Sequence, residues 1–177
     1  MEKRKTQAFD YSLDFKKTDF RQHPELYRPG VGEQGVLLVE PYKSEILPHW
    51  RFKTPAIAEI SAKKIFELFQ QYLVQQDFVG ADMARKFLQM GFTRARRYAN
   101  YKGGRKYSQT KGKDTSTLPY PYSSESQYKG NPINTRQSDA DTNEKAQAAA
   151  IFKEYWTKAK NNPEYLHLRD TFLQKYI

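Results

Sequence analysis

Three observations predict an α+β fold, mostly helical, with a small antiparallel β element near the N-terminus and a helical body. Before residue 53 the chain carries short alternating or apolar segments bounded by prolines and glycines. From residue 54 onward, helix start signals are followed by apolar stripes at helical spacing. The stretch 103–147 holds only Leu118 and Ile133 of the 35 Leu, Ile, Val and Phe residues in a chain of 177. The remainder is apolar enough for a core, helped by 11 Phe, 13 Tyr and 2 Trp. The chain therefore reads as a single domain, 1–177, interrupted by a flexible insert at about 103–142.

Each element has its own signal. Phe9, Tyr11, Leu13 and Phe15 alternate with Asp10, Ser12 and Asp14, the period of a half-buried strand or an extended arm. The segment 23–30, with two prolines and a terminal glycine, reads as a short turn or helical loop. Val36 to Glu40 reads as a short buried strand stopped by Pro41, and Ile46 to Phe52 as its antiparallel return, with Pro48 confining it to an edge or a bulge. Thr54 and Pro55 supply an N-cap and a first helical residue. The helix they open carries Ile57, Ile60, Ile65, Leu68, Phe69, Tyr72 and Leu73 on one stripe and ends near Gln76. Asp77 caps a second helix to about Met90, where Gly91 is a left-handed stop with Phe92 as its apolar follower. Thr93 then caps a short third helix from Arg94 to about Tyr101. Leu118 to Tyr122 reads as extended. A helix resumes near Asn143 and runs to Lys160, and Asn162-Pro163 opens the last one.

Composition excludes several chemistries. Without cysteine there is no disulfide, thiolate zinc site or cysteine nucleophile, and three scattered histidines argue against a metal site. No cofactor motif is present. The longest strongly apolar run is Val36 to Val39, too short to span a membrane, and the basic N-terminus lacks the apolar stretch of a secretion signal. A cytoplasmic protein is expected.

The net charge of +10 has one source. Between Met83 and Lys113 lie ten basic residues and no acidic one: Arg85, Lys86, Arg94, Arg96, Arg97, Lys102, Arg105, Lys106, Lys111 and Lys113. Such a field attracts polyanions, and the arginine fork matches phosphate oxygens. Tyr98, Tyr101 and Tyr107 are interleaved, which suits stacking on bases. Arg94, Arg97 and Tyr101 would share one stripe of the third helix, and the helices around 82–101 allow a helix-turn-helix reading.

Two further motifs are weaker. Gly30-Val31-Gly32-Glu33-Gln34-Gly35 matches G-x-G-x-x-G, but it follows a turn and precedes a strand, whereas dinucleotide sites need the reverse order. It reads as a turn feeding Val36. Glu33, Glu40, Glu45, His49, Trp50 and Arg51 are the densest set able to do acid–base work, with His49 as base and Glu40 or Glu45 to orient it.

Residues 32–43 and 48–52, together with 78–88 and 94–98, resemble an uncharacterised domain family of small basic proteins shared by cyanobacteria, algae and large tailed phages. The resemblance covers about residues 9–107 and, beyond them, the C-terminal helices. It implies a bacterial or phage-infected cytoplasm but no activity and no site residues. The leading expectation is a nucleic-acid-binding protein, DNA or RNA undecided, that contacts backbone phosphates through Arg85, Lys86, Arg94, Arg96, Arg97, Lys102, Arg105 and Lys106, with Tyr98 and Tyr101 stacking. One alternative is an enzyme acting on nucleic acid or nucleotides through Glu40, Glu45 and His49. Another is a phage-encoded factor, such as a host-defence inhibitor, docking on an acidic host protein.

Overall fold

The computed structural model describes residues 7–118 and 125–177. It contains five α-helices: α1 (Tyr42–Ile46), α2 (Pro55–Val74), α3 (Phe78–Asn100), α4 (Glu144–Lys160) and α5 (Pro163–Tyr176). Four of the five start signals act as the sequence implies, and the fifth, Thr93, lies inside α3. Thr54, Asp77, Asn143 and Asn162 each accept a backbone N–H at the beginning of α2, α3, α4 and α5. No helix is long and apolar enough to cross a membrane among the described residues.

The helical body is built around α3. It packs against α2 and α4, which also pack on each other, and it touches α1 and α5. Its buried positions run nearly all round the helix in its first half, from Phe78 to Leu88. A helix buried on all sides needs small residues wherever neighbours approach closely. Gly91 is the clearest case. The expected stop at this position is not there: α3 continues unbroken to Asn100. A Cβ built at Gly91 would fall 2.2 Å from the ring of Phe152 on α4, so the residue serves close helix packing. The helix-turn-helix reading falls with the stop, because the expected second and third helices are one.

The β element is absent as well, which corrects the α+β expectation. Among the described residues there is no strand, only an isolated antiparallel bridge between Tyr107 and Ile133. Phe9 and Phe15 stack with centroids 5.8 Å apart, whereas six residues of extended chain would separate them by roughly 20 Å. Asp14 accepts backbone N–H bonds from Lys17 and Thr18 and closes this segment into turns. Val36 to Glu40 is also coiled. Backbone bonds from Gln34 to Val31, Val36 to Glu33 and Leu38 to Gly35 each span three residues, as in successive turns, and Gly30, Gly32 and Gly35 hold positive φ. The segment expected to return as a strand instead ends α1 and continues as a 3-10 turn, Leu47–His49. Apolar residues here are buried, as Val36, Val39 and Ile46 show, but onto helices and not into a sheet.

The described parts of the insert run beside each other. Ser108 N–H donates to the Pro132 carbonyl and Asn134 N–H to that of Lys106, while Gln137 N–H reaches the Asn100 carbonyl at the end of α3. Leu118 precedes residues 119–122 of the expected extended piece, and these four lie outside the described residues.

Gly91 gives a test in which two effects have opposite signs. On an exposed helix, Gly→Ala would stabilise by about 1 kcal/mol. Against Phe152 the added methyl overpacks the interface, so Gly91→Ala is expected to destabilise by about 1–3 kcal/mol in urea denaturation.

Candidate functional site

The most heavily bonded polar centre lies on α3. Asp82 is buried, and its Oδ1 accepts from Tyr165 Oη at 2.7 Å and Arg85 Nε at 2.8 Å. Its Oδ2 accepts from Tyr27 Oη and faces Lys86 Nζ at 3.7 Å. Lys86 is fully buried and donates to the carbonyls of Pro29 (2.5 Å) and Gln34 (2.7 Å). Its ammonium also lies over the rings of Phe9 and Tyr27. Arg85 also donates to Gln89 Oε1 at 3.0 Å and to the Gly32 carbonyl at 3.2 Å. The centre therefore holds the glycine turn at 30–35, the residue at 27, α3 and α5 together.

The electrostatics follow from burial and charge. Desolvation alone would raise the Asp82 pKa, but Arg85, then Lys86 and the two tyrosine hydroxyls hold it well below the usual carboxylate range. Burial pushes Lys86 down to about 8 against the opposing pull of Asp82. Burial and the adjacent Asp82 raise both Tyr27 and Tyr165. Arg85 and Lys86 were expected to extend a phosphate-binding patch. They are instead consumed in the interior, where a buried charge must be paired.

The remainder of the basic cluster divides by position on the helix. Arg94 lies near Glu33, whose carboxyl is raised by burial and accepts from Thr93 Oγ1 at 3.0 Å. Thr93 thus bonds across to the glycine turn and does not cap a helix. Arg96 reaches Asn100 Oδ1 at 3.0 Å and the Ala140 carbonyl. Arg97 donates to the Gly104 carbonyl at 2.8 Å and pairs with Glu125 at 3.1 Å. Arg96 and Arg97 therefore clamp the two ends of the insert to α3. Lys102, Arg105, Lys106, Lys111 and Lys113 remain, and among the described residues none of the five forms an ion pair.

Three of these five, Lys102, Arg105 and Lys106, follow directly from the end of α3, and Gly104 among them packs against the ring of Tyr98, which is 39% exposed. Tyr101 is half-buried as the C-cap of α3. The ring of Tyr98 sits 5.7 Å from that of Phe52 and 5.7 Å from Lys145 Nζ on α4. Lys145 donates to the Phe52 carbonyl, and burial, then the charge of Lys53, lowers its pKa. Tyr98, Lys102 and Lys145 line one hollow of about 560 Å³, which Asp139 and Glu144 also border. Phe52, Lys53 and Lys145 carried no local signal for this surface, being separated from Tyr98 by tens of residues. The Asp82 centre did have a partial signal, since Arg85 and Lys86 stand at i+3 and i+4 from Asp82 on one helix face. Nothing in the sequence joined Tyr27 or Tyr165 to it.

The acid–base set is committed elsewhere. Glu45 accepts from Arg21 at 2.8 Å and Tyr72 at 2.6 Å, and Glu40 accepts from the Ser44 N–H and hydroxyl. Neither carboxylate bonds to His49 among the described residues, so nothing orients the imidazole as a base. No cluster of three or more potential metal ligands occurs among the described residues.

Residues 10–175 match the family model described as Domain of unknown function (DUF4385). No curated protein and no solved structure matches the chain.

Two outcomes follow from the Asp82 centre. Asp82→Asn leaves Arg85 and Lys86 buried without a carboxylate and is expected to cost about 3–5 kcal/mol in chemical denaturation. The wild-type protein should also show a distinctive alkaline profile. The folded Lys86 pKa lies near 8, below its ordinary 10.5, so stability should rise as pH increases from about 8 towards 10. Above about 10 the trend should reverse, because tyrosines ionise in the unfolded chain but are held neutral in the fold. Urea midpoints across this range measure both limbs.

Proposed function

We propose that this chain, which belongs to the DUF4385 family, binds nucleic acid at the end of α3, with a base stacked on Tyr98 and backbone phosphates held by Lys102, Arg105 and Lys106. The observation that carries the reading is an exposed tyrosine ring with Lys145 over it and Lys102 on the same hollow, neither of which forms an ion pair among the described residues. A tyrosine set between an aromatic neighbour and ammonium groups offers a flat face to any base, and the cations track phosphates without reading sequence. Unpaired bases are the better substrate, because a base within a duplex does not present its face to a side chain.

This narrows the ten-residue cluster. Arg96 and Arg97 hold the insert to α3, so their removal acts through stability and through the position of the insert, while Arg94 stands beside Glu33 without an ion pair among the described residues. Lys53 and Lys145 join the surface from elsewhere in the chain.

Fluorescence anisotropy with a labelled single-stranded oligonucleotide, from low to moderate salt, tests the reading. Tyr98→Ala is expected to weaken binding by about tenfold or more. Replacing Lys102, Arg105 and Lys106 together by Ala should reduce the log–log salt slope by about two, at about 0.7 per lost phosphate contact on a single strand. Absence of binding at low salt, or an unchanged slope in the triple variant, rejects it.

A further inference from the structure

A separate cleft of about 810 Å³ opens between the glycine turn and α5. Gly30, Val31 and Gly32 form one wall. Leu166 and Arg169 on α5, with Lys160 at the end of α4, contribute to the other, and Asp82 and Arg85 lie at its base. The volume falls in the range of small-molecule sites. None of the residues that frame Tyr98 lines it.

Its electrostatics are one-sided. The carboxylate at its base, Asp82, is already occupied by Arg85 and the hydroxyls of Tyr27 and Tyr165. Three cations line the cleft, and Lys86 stands behind Asp82. Lys160 lies over the Trp156 ring at 4.4 Å, and neither it nor Arg169 forms an ion pair among the described residues. Two cations are thus left to meet an anion at the mouth, while Arg85 adds its field from below.

The walls carry a second requirement. Val31 is 79% exposed and Leu166 44% exposed, and both border this cleft. Apolar side chains so open to water beside unpaired cations match a ligand that is anionic at one end and apolar at the other. The positive φ of Gly30 and Gly32 curves the turn, and a Cβ at Gly32 would meet only the end of the Gln89 side chain, at 3.5 Å. The backbone at Gly32 is therefore uncovered, whereas at Gly30 the side chains of Gln34 and Phe9 close in.

We infer that this cleft binds a phosphomonoester carried on a flat apolar body, the chemistry of a nucleoside monophosphate. The phosphate lies against Lys160 and Arg169, and the body lies against Val31 and Leu166. A phosphomonoester carries nearly two negative charges at neutral pH, enough to engage both cations. The same chemistry occurs in a free nucleotide and at the 5′-phosphorylated end of a strand.

Isothermal titration calorimetry with adenosine monophosphate, adenosine and ribose 5-phosphate tests the assignment, together with anisotropy of an oligonucleotide bearing a 5′-phosphate or a 5′-hydroxyl. Saturable binding of adenosine monophosphate, about tenfold tighter than either fragment, assigns the free nucleotide. A comparable preference for the 5′-phosphorylated strand, with no saturation by the mononucleotide, assigns the strand end. In either case Lys160→Ala with Arg169→Ala should abolish the preference while leaving the thermal midpoint and the affinity for the 5′-hydroxyl strand unchanged. Should Arg169→Ala lower stability, Lys160→Glu at its exposed position provides the same reading. The inference is overturned if adenosine binds as well as its monophosphate, if neither phosphorylated probe is preferred, or if the preference survives in the variants.

Discussion

A buried carboxylate that four side chains must satisfy is the constraint on which this structure depends. Asp82 stands on the most enclosed helix of the fold, where an unpaired charge would be prohibitive. Its partners come from three places in the chain: Tyr27 from the N-terminal segment, Arg85 and Lys86 from its own helix, and Tyr165 from α5. Each brings further structure with it. Lys86 and Arg85 bond three carbonyls of the segment 29–34, so a stretch without regular secondary structure is held by side-chain donors in place of a ladder. That explains how residues 7–40 can be ordered without a sheet. It also explains the nearby cleft, whose base is the same pair, Asp82 and Arg85, that locks the turn to the helix.

Charge counted along a sequence and charge presented at a surface are different quantities here. The ten basic residues between Met83 and Lys113 contain the whole net charge, yet the helix distributes the first five over different environments. Arg85 and Lys86 turn to the core, Arg94 towards Glu33, and Arg96 and Arg97 to the insert. A helix advances 100° per residue, so a contiguous basic run on it cannot form one face. The five cluster residues beyond Asn100 escape this sorting because the helix has ended, and among the described residues none of them forms an ion pair. The surface they form is completed by Phe52, Lys53 and Lys145, which the chain brings from either side.

Local signals failed where a neighbour had a stronger claim on the same residue. Gly91, with Phe92 after it, has the form of a helix stop, but stopping there would remove the ring of Phe152 from its seat. The alternating aromatics at 9–15 have the period of a strand, but Phe9 and Phe15 gain more by stacking near Phe20 and Lys86 than an unpaired strand would gain. The apolar run at 36–39 has no second strand within reach, and it buries Val36 and Val39 against helices instead.

The sequence by itself determined the starts of α2, α3, α4 and α5, because a cap is a contact between residues three apart: Thr54, Asp77, Asn143 and Asn162 each bond the backbone N–H that local spacing implies. It likewise determined the location of the excess charge and the lack of a span long enough for a membrane. Tertiary structure alone decided that α3 is one helix, that the N-terminal segment forms turns, and which cations remain at the surface. It also decided that Tyr27, Asp82 and Tyr165 meet. Those outcomes rest on contacts between residues tens of positions apart, whose energies exceed the preferences of roughly 1 kcal/mol that local sequence expresses.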